Sequence, residues 1–349
     1  MKKIVFFINS LDRGAGTERI SVDVANSLVQ QGFSVSFLLL EEYKDSFFKL
    51  DSKIKVYSIN LSFHQKIKSI LVLRNFLKEY KPDYLINVAF QMAIISLFSN
   101  FGCKTKIITW DHFFLRAGSI WGYLMRLISA LCGYKQIVLT ETDKKSYPAL
   151  IQDKVYCIPN FTTINPQEMI SSLNSKKVLS IGRLTFTKGF DLLVKAWEIV
   201  HHKYPDWKLE IVGEGDDRNE LCRIIDRLSL SDSINVLHAQ NNILPIYLSA
   251  SLYVLPSRYE PFGLVLIEAK SCGLPIVAFN CPFGPKNIVR DSIDGLLVEP
   301  ENSDQLAIAI CSLINDQVKL QEMGQAAIRD YKNRWSEDII MKQWMDLLK

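Results

Sequence analysis

The feature that most constrains this 349-residue chain is a regular alternation of short, continuous apolar runs with longer segments of helical periodicity. Apolar runs without polar interruption are buried on both faces, and such strands occur in parallel sheets whose crossover helices cover both sides. In the first half the runs are 3–8, 34–40, 55–59, 84–88, 106–110 and 136–140, and 155–160 closes the set at Pro159 and Asn160. A Ser/Thr/Asn-rich segment follows to Ser175 and reads as a linker. The pattern then restarts at 178–181 and continues through 208–212, 234–237, 252–255, 275–279 and 295–298. The fold class expected is α/β: two doubly wound parallel-sheet domains facing a central cleft, with ligands at the carboxyl ends of the strands.

Composition narrows the function classes. The formal charge is +4, from 41 basic and 37 acidic residues, too slight to argue for a nucleic-acid partner. Split at residue 160, it resolves into 21 basic against 13 acidic residues before and 20 against 24 after, so +8 meets −4. The seven cysteines are scattered without a C-x-x-C pair, which speaks against a zinc site or a disulfide framework and fits a reducing cytoplasm. Residues 84–103 lack charge over a bilayer-spanning length, but Asn87, Gln91, Ser96, Ser99, Asn100 and Gly102 interrupt the stretch, so a strand followed by a helix is expected. The apolar run after Met1-Lys2-Lys3 is cut short by Asn9, Asp12 and Arg13 and reads as a first strand.

The residues with the clearest chemistry lie between Arg183 and Glu268. Arg183 and Lys188 fall in one strand-to-helix turn, where two cations and a helix amino terminus can converge on a diphosphate. Taken alone, they also read as solvated loop cations. Residues 258–264, Arg-Tyr-Glu-Pro-Phe-Gly-Leu, form a second such turn, with Gly263 allowing close backbone approach and the N–H groups of Phe262, Gly263 and Leu264 facing an anion. Glu268 sits among Val265, Leu266, Ile267 and Ala269 and needs a partner; Lys270 or Arg290 would be the ordinary one. On a continuous helix Glu260 and Glu268 would stand about 12 Å apart, too far for a glycosidase acid–base pair, which points to two separate tasks.

Together these motifs carry a family resemblance. The Glu260-x7-Glu268 pair, Gly182-Arg183-Leu184 with Lys188-Gly189, and Val212-Gly213-Glu214-Gly215 resemble retaining glycosyltransferases of family 4, which have the GT-B fold of two Rossmann-like domains. Residues 14–19, Gly-Ala-Gly-Thr-Glu-Arg, resemble that family's Gly-Gly-x-Glu-Arg turn. Residues 335–349 resemble the helix that crosses back onto the first domain. The resemblance implies an acceptor-binding domain over 1–160, joined by 335–349, and a nucleotide-sugar donor-binding domain over 161–334. It implies that Arg183 and Lys188 neutralise the donor diphosphate and that Glu268 binds the ribose. Glu260, with the Phe262-Gly263-Leu264 backbone, would orient the sugar. Gly16 would present backbone N–H groups, and His112 matches the family's active-site histidine; without the resemblance His112 reads as a packed core residue. Residues 281–288 resemble a Cys-Pro-x-Gly-Pro loop of relatives using UDP-N-acetylhexosamine or UDP-galactose-type donors, with Asn287 where Glu is expected.

The activity implied is retaining, metal-independent and cofactor-free transfer of a hexose or N-acetylhexosamine from a nucleotide-diphosphate sugar. UDP is the expected base; GDP-mannose, or a silent nucleotide-sugar-binding protein, are the alternatives. Residues 44–81 hold nine basic and three acidic residues, and 113–127 interleave aromatics with arginines. Both segments suit an anionic membrane surface or an ordinary packed helix. The membrane reading places the protein on the cytoplasmic face, acting on a glycan or lipid-linked sugar acceptor in polysaccharide biosynthesis.

Overall fold

The computed structural model describes all residues except 14–15, 62–64, 165–168 and 241. It divides into two compact units, Met1–Asn160 with Asp338–Lys349, and Phe161–Glu337.

Unit 1 contains β1 (Lys3–Ile8), α1 (Gly16–Gln30), β2 (Ser34–Leu39), β3 (Lys55–Ser58), α2 (Lys66–Tyr80), β4 (Tyr84–Val88) and α3 (Phe90–Ser99). There follow β5 (Lys106–Trp110), α4 (Ile120–Cys132), β6 (Lys135–Val138), α5 (Glu141–Lys144), the 3-10 turn Ala149–Lys154 and β7 (Val155–Cys157). The seven strands are parallel in the order β3-β2-β1-β4-β5-β6-β7. Every residue of β4, and all but the first of β1, is buried, as expected for strands covered on both faces.

Unit 2 contains β8 (Lys177–Ile181), the 3-10 turn Phe186–Lys188, α6 (Phe190–Lys203), β9 (Lys208–Val212), α7 (Arg218–Arg227), β10 (Ile234–Leu237), α8 (Leu244–Leu248) and β11 (Leu252–Leu255). It continues with α9 (Leu264–Ser271), β12 (Ile276–Phe279), α10 (Gly284–Ile288), β13 (Gly295–Val298), α11 (Ser303–Asn315) and α12 (Gln317–Arg334); α13 (Glu337–Leu347) then carries the chain into unit 1. Six parallel strands run in the order β10-β9-β8-β11-β12-β13. Both sheets reverse their strand order once, at β1/β4 and at β8/β11. Successive crossovers leave in opposite directions at such a point and open a crevice at the carboxyl ends of the two strands.

Several boundaries differ from the sequence expectation. Trp335 stays with unit 2, because its indole N–H donates to Asp330 at 2.9 Å and its ring packs edge-on against Phe262; the returning segment begins at Asp338. Residues 113–119 are turn rather than helix, which begins at Ile120 after its Ser119 cap. Lys188 closes a 3-10 turn one step before α6, and Glu260 precedes α9, so no continuous helix joins Glu260 to Glu268. Of the segment read as a linker, residues 171–175 are docked: Ser171 N–H donates to the Cys272 carbonyl at 2.9 Å, Ser175 N–H to Ser251 Oγ at 2.9 Å, and Leu173 is buried. Its polar side chains satisfy neighbouring backbone and hydroxyl groups.

Candidate functional site

In unit 2 the loops after β8, β9 and β11 lie backbone against backbone, and glycines make that possible. A Cβ on Gly213 would stand 1.9 Å from the Gly182 carbonyl oxygen, and one on Gly189, at φ 66°, 2.0 Å from that of Pro256. Leu184 N–H donates to the Glu214 carbonyl at 2.7 Å, and Arg258 N–H to that of Thr187 at 2.9 Å. The glycines of the motifs thus draw three strand ends together at the β8/β11 reversal.

This packing brings Lys188 Nζ within 2.5 Å of Glu260 Oε2, with Ser257 Oγ donating to the same oxygen at 3.3 Å. Glu260 is buried and Lys188 half-buried. Arg183, on the same loop, is exposed and has no ion-pair partner among the described residues. The helix α9 begins at Gly263, at φ 96°, with no side-chain cap, so its amino-terminal dipole is not offset by a capping oxygen. α6 likewise starts uncapped at Gly189.

Glu268 is 2% exposed and accepts from the Tyr247 hydroxyl at 2.8 Å. Burial beside this carboxylate raises the Tyr247 hydroxyl well above its usual range, which keeps it a donor. The ordinary partners considered for Glu268 are engaged elsewhere. Lys270 pairs with Asp294 at 3.0 Å and Asp330 at 2.6 Å, and Arg290 reaches the same two carboxylates. Asn287 donates its amide to the Phe283 carbonyl, a bond that the expected Glu could not make. Phe283 in turn bridges Glu260, whose carbonyl accepts from Gly284 N–H at 2.8 Å. The loop 281–288 is therefore a brace behind Glu260.

Two residues of this site escape sequence reasoning. Arg258 forks onto both Asp191 oxygens at 2.7 Å and stacks over Phe186 at 3.9 Å, tying α6 to the β11 loop. Burial alone would raise Asp191, but the Arg258 guanidinium holds it below the usual carboxylate value. Tyr247 is the other. Its only local signal is a tyrosine within an apolar stretch, whose hydroxyl must find a partner if buried.

In unit 1, Gly16 opens α1 beyond β1, and a Cβ there would meet nothing within 4 Å. Gly14 and Ala15 lie outside the described residues. At the other strand of the reversal, Ala89 follows β4 at φ 87°, a strained conformation for a residue with a Cβ. His112 follows β5, buried, with its ring 4.5 Å from that of Trp110, which meets Trp344 edge-on at 4.9 Å. Burial lowers the His112 imidazole to about 3, so it is neutral, and its Nε2 has no hydrogen-bond partner among the described residues. Its neighbour Asp111 is raised to about 6 by burial, although Arg126 Nε reaches it at 2.6 Å. Among the described residues no three His, Cys, Asp or Glu side chains gather as a metal site. A cavity of about 540 Å³ lined by Lys2, Lys78, Lys81, Asp83, Lys104 and Lys106 lies at the opposite, amino ends of β1, β4 and β5, away from this chemistry.

Comparison with known proteins bears on the family and the fold. The family model described as Glycosyl transferases group 1 matches residues 162–330. An uncharacterized glycosyltransferase of Haemophilus influenzae is 35% identical over 365 residues, covering 100% of both chains. The chain belongs to the glycosyltransferases. Among other relatives of this glycosyltransferase, the amylovoran biosynthesis glycosyltransferase AmsD of Erwinia amylovora is 26% identical over 100% of both chains. A Campylobacter jejuni enzyme is 28% identical over 100% of this chain and 98% of its own. Its name is GalNAc-α-(1→4)-GalNAc-α-(1→3)-diNAcBac-PP-undecaprenol α-1,4-N-acetyl-D-galactosaminyltransferase. The crystal structure of Anabaena HepE with UDP and glucose matches with a TM-score of 0.81 at 19% identity, covering 100% of this chain and 99% of that one. The two parallel-sheet units have the GT-B fold.

Proposed function

We propose that this glycosyltransferase moves a hexose or N-acetylhexosamine from a UDP-linked donor, with retention and without a metal, to a lipid-linked glycan during polysaccharide assembly on the cytoplasmic face of a membrane. The observation that carries the donor assignment is the Lys188–Glu260 pair at the β8/β11 reversal, with Arg183 exposed on the same loop. Departure of a nucleoside diphosphate gathers negative charge on the phosphate oxygens, and preorganised cations and helix amino termini stabilise charge developing there. In this reading Arg183, Lys188 and the amino terminus of α9 do the work that a divalent ion does elsewhere. Glu268, oriented by Tyr247, accepts from the ribose hydroxyls.

Glu260 orients the sugar, and its bond to Lys188 links sugar position to phosphate position. The incoming acceptor hydroxyl attacks from the face that the diphosphate leaves. Its proton passes to the departing phosphate oxygen, so configuration is kept with no enzyme-bound intermediate. His112, neutral and with no hydrogen-bond partner for Nε2 among the described residues, is the residue that the family resemblance assigns to the active site. The Campylobacter relative's undecaprenol-linked substrate and the UDP bound to HepE support the acceptor and donor classes. The test is a donor-hydrolysis screen over UDP- and GDP-sugars with wild type and Glu268→Ala. The expected result is UDP-sugar hydrolysis that the variant loses; unchanged hydrolysis removes the ribose assignment. A covalent glycosyl adduct on Glu260, seen by mass spectrometry, would refute the same-face displacement.

A further inference from the structure

The helix α4 packs Tyr123, Leu127 and Ala130 inward and still turns a second apolar face to solvent. Its buried residues are Gly122, Arg126, Ser129 and Ala130, whereas Ile120, Trp121, Leu124, Ile128 and Leu131 are all exposed, Trp121 at 69%. These exposed positions recur at helical spacing and form one apolar stripe. The 3-10 turn Ala149–Lys154 packs against α4 and adds Leu150, 86% exposed. A contiguous apolar stripe turned to solvent, on a helix whose inward side already packs and holds the charged Arg126, marks a surface that something else covers.

The charges around it identify what does. Residues 84–154, which carry both α4 and the 3-10 turn, contain eight cations and four carboxylates, Asp111, Glu141, Asp143 and Asp153. Asp111, Arg126 and Asp143 are buried, which leaves seven cations against Glu141 and Asp153, so the surface of this segment is net cationic. A second copy of the chain docking by a two-fold axis would set like charge on like. An anionic bilayer complements both features at once: it takes the apolar stripe into its acyl boundary and the cations at its headgroups, with tryptophan at the interface. α4 has thirteen residues, about 20 Å, and no helix of the described residues is long and apolar enough to cross a membrane, so α4 lies in the plane.

We infer that the outward face of α4 is the surface by which this enzyme enters an anionic bilayer. The inward face gives the position a purpose. Arg126 holds the loop after β5 at both ends, donating to Asp111 at 2.6 Å and to the Ala117 carbonyl at 2.9 Å, and that loop carries His112. A bilayer seated on α4 is therefore one side chain away from the loop of the candidate active-site histidine. The inference uses the membrane-borne acceptor proposed above for its purpose, not for its evidence.

The protein supplies its own probe, since Trp121 is exposed while the other five tryptophans are buried. Full-length protein is mixed with vesicles of phosphatidylglycerol and phosphatidylcholine in equal parts, or of phosphatidylcholine alone, and tryptophan emission and co-sedimentation are followed. The expected result is a blue shift with the anionic vesicles that Trp121→Phe abolishes. The double variant Leu124→Gln/Ile128→Gln should bind at least tenfold more weakly while hydrolysing donor at the wild-type rate. Absence of a vesicle-dependent shift, or unchanged binding by the double variant, overturns the inference. A blue shift that grows with protein concentration without vesicles overturns it in favour of self-association. Vesicle binding without transfer to a lipid-linked acceptor would leave this inference standing and remove the acceptor reading. Transfer to such an acceptor in detergent, without vesicle binding, would do the reverse.

Discussion

Lys188 Nζ and Glu260 Oε2 stand 2.5 Å apart although 72 residues separate them in sequence. The pair exists because Gly189 lets the β8 loop press against the backbone after β11, and it makes the sugar-orienting and phosphate-binding tasks one mechanical unit. Lys188→Met should lower donor turnover by about 10²–10³-fold, the usual cost of removing one preorganised donor from a developing oxyanion. Lys188→Arg, which keeps the charge, should recover part of it. Steady-state donor hydrolysis measures both.

Asn287 departs from the expected Glu, and its amide donates to the Phe283 carbonyl behind Glu260. Asn287→Glu replaces that donor with an acceptor facing an acceptor. The expected loss is about 1–3 kcal/mol of unit 2 stability, read from denaturant unfolding, together with a raised KM for donor.

Lys270 is fully buried between Asp294 and Asp330. Burial lowers its pKa even against those two carboxylates. Lys270→Ala leaves two buried carboxylates without their central cation, and truncating one partner of such a cluster costs about 3–5 kcal/mol. Thermal unfolding should show unit 2 melting early while unit 1 is unchanged.

Asp143 is raised to about 7, first by burial and against the bond it accepts from Leu115 N–H at 2.9 Å. Its folded value lies above the unfolded one near 3.9, so the native state binds the proton more tightly. Stability from this group falls as pH rises from about 4 to 7 and stays low above that. Asp143→Asn keeps an acceptor for Leu115 and removes the charge. The variant should match wild type near pH 4 and exceed it at pH 8 by an amount on the order of a few kcal/mol. Denaturant midpoints across pH check this; an Asn variant less stable at pH 8 would contradict it.

The strands were legible in the sequence because parallel strands buried on both faces leave uninterrupted apolar runs. The β4 stretch Tyr-Leu-Ile-Asn-Val is the clearest case, its Asn87 tolerated because Ser96 and Thr109 satisfy its amide. The motif cations and carboxylates were legible because glycines punctuate the loops that carry them. What was not legible is non-local. Nothing near Glu268 in sequence names Tyr247, and nothing near Arg258 names Asp191. For α4, the sequence showed aromatics interleaved with arginines but not which side faces the core; that is decided by Arg126 meeting Asp111 across the loop.

The β8/β11 reversal of unit 2 is proposed to hold a nucleoside diphosphate through Arg183, Lys188 and Glu268. Calorimetric titration of UDP and GDP into wild type, Arg183→Ala and Glu268→Ala tests it directly. UDP should bind the wild type and bind each variant at least tenfold more weakly, the scale of one charge-assisted hydrogen bond. UDP affinity unchanged in both variants would contradict it.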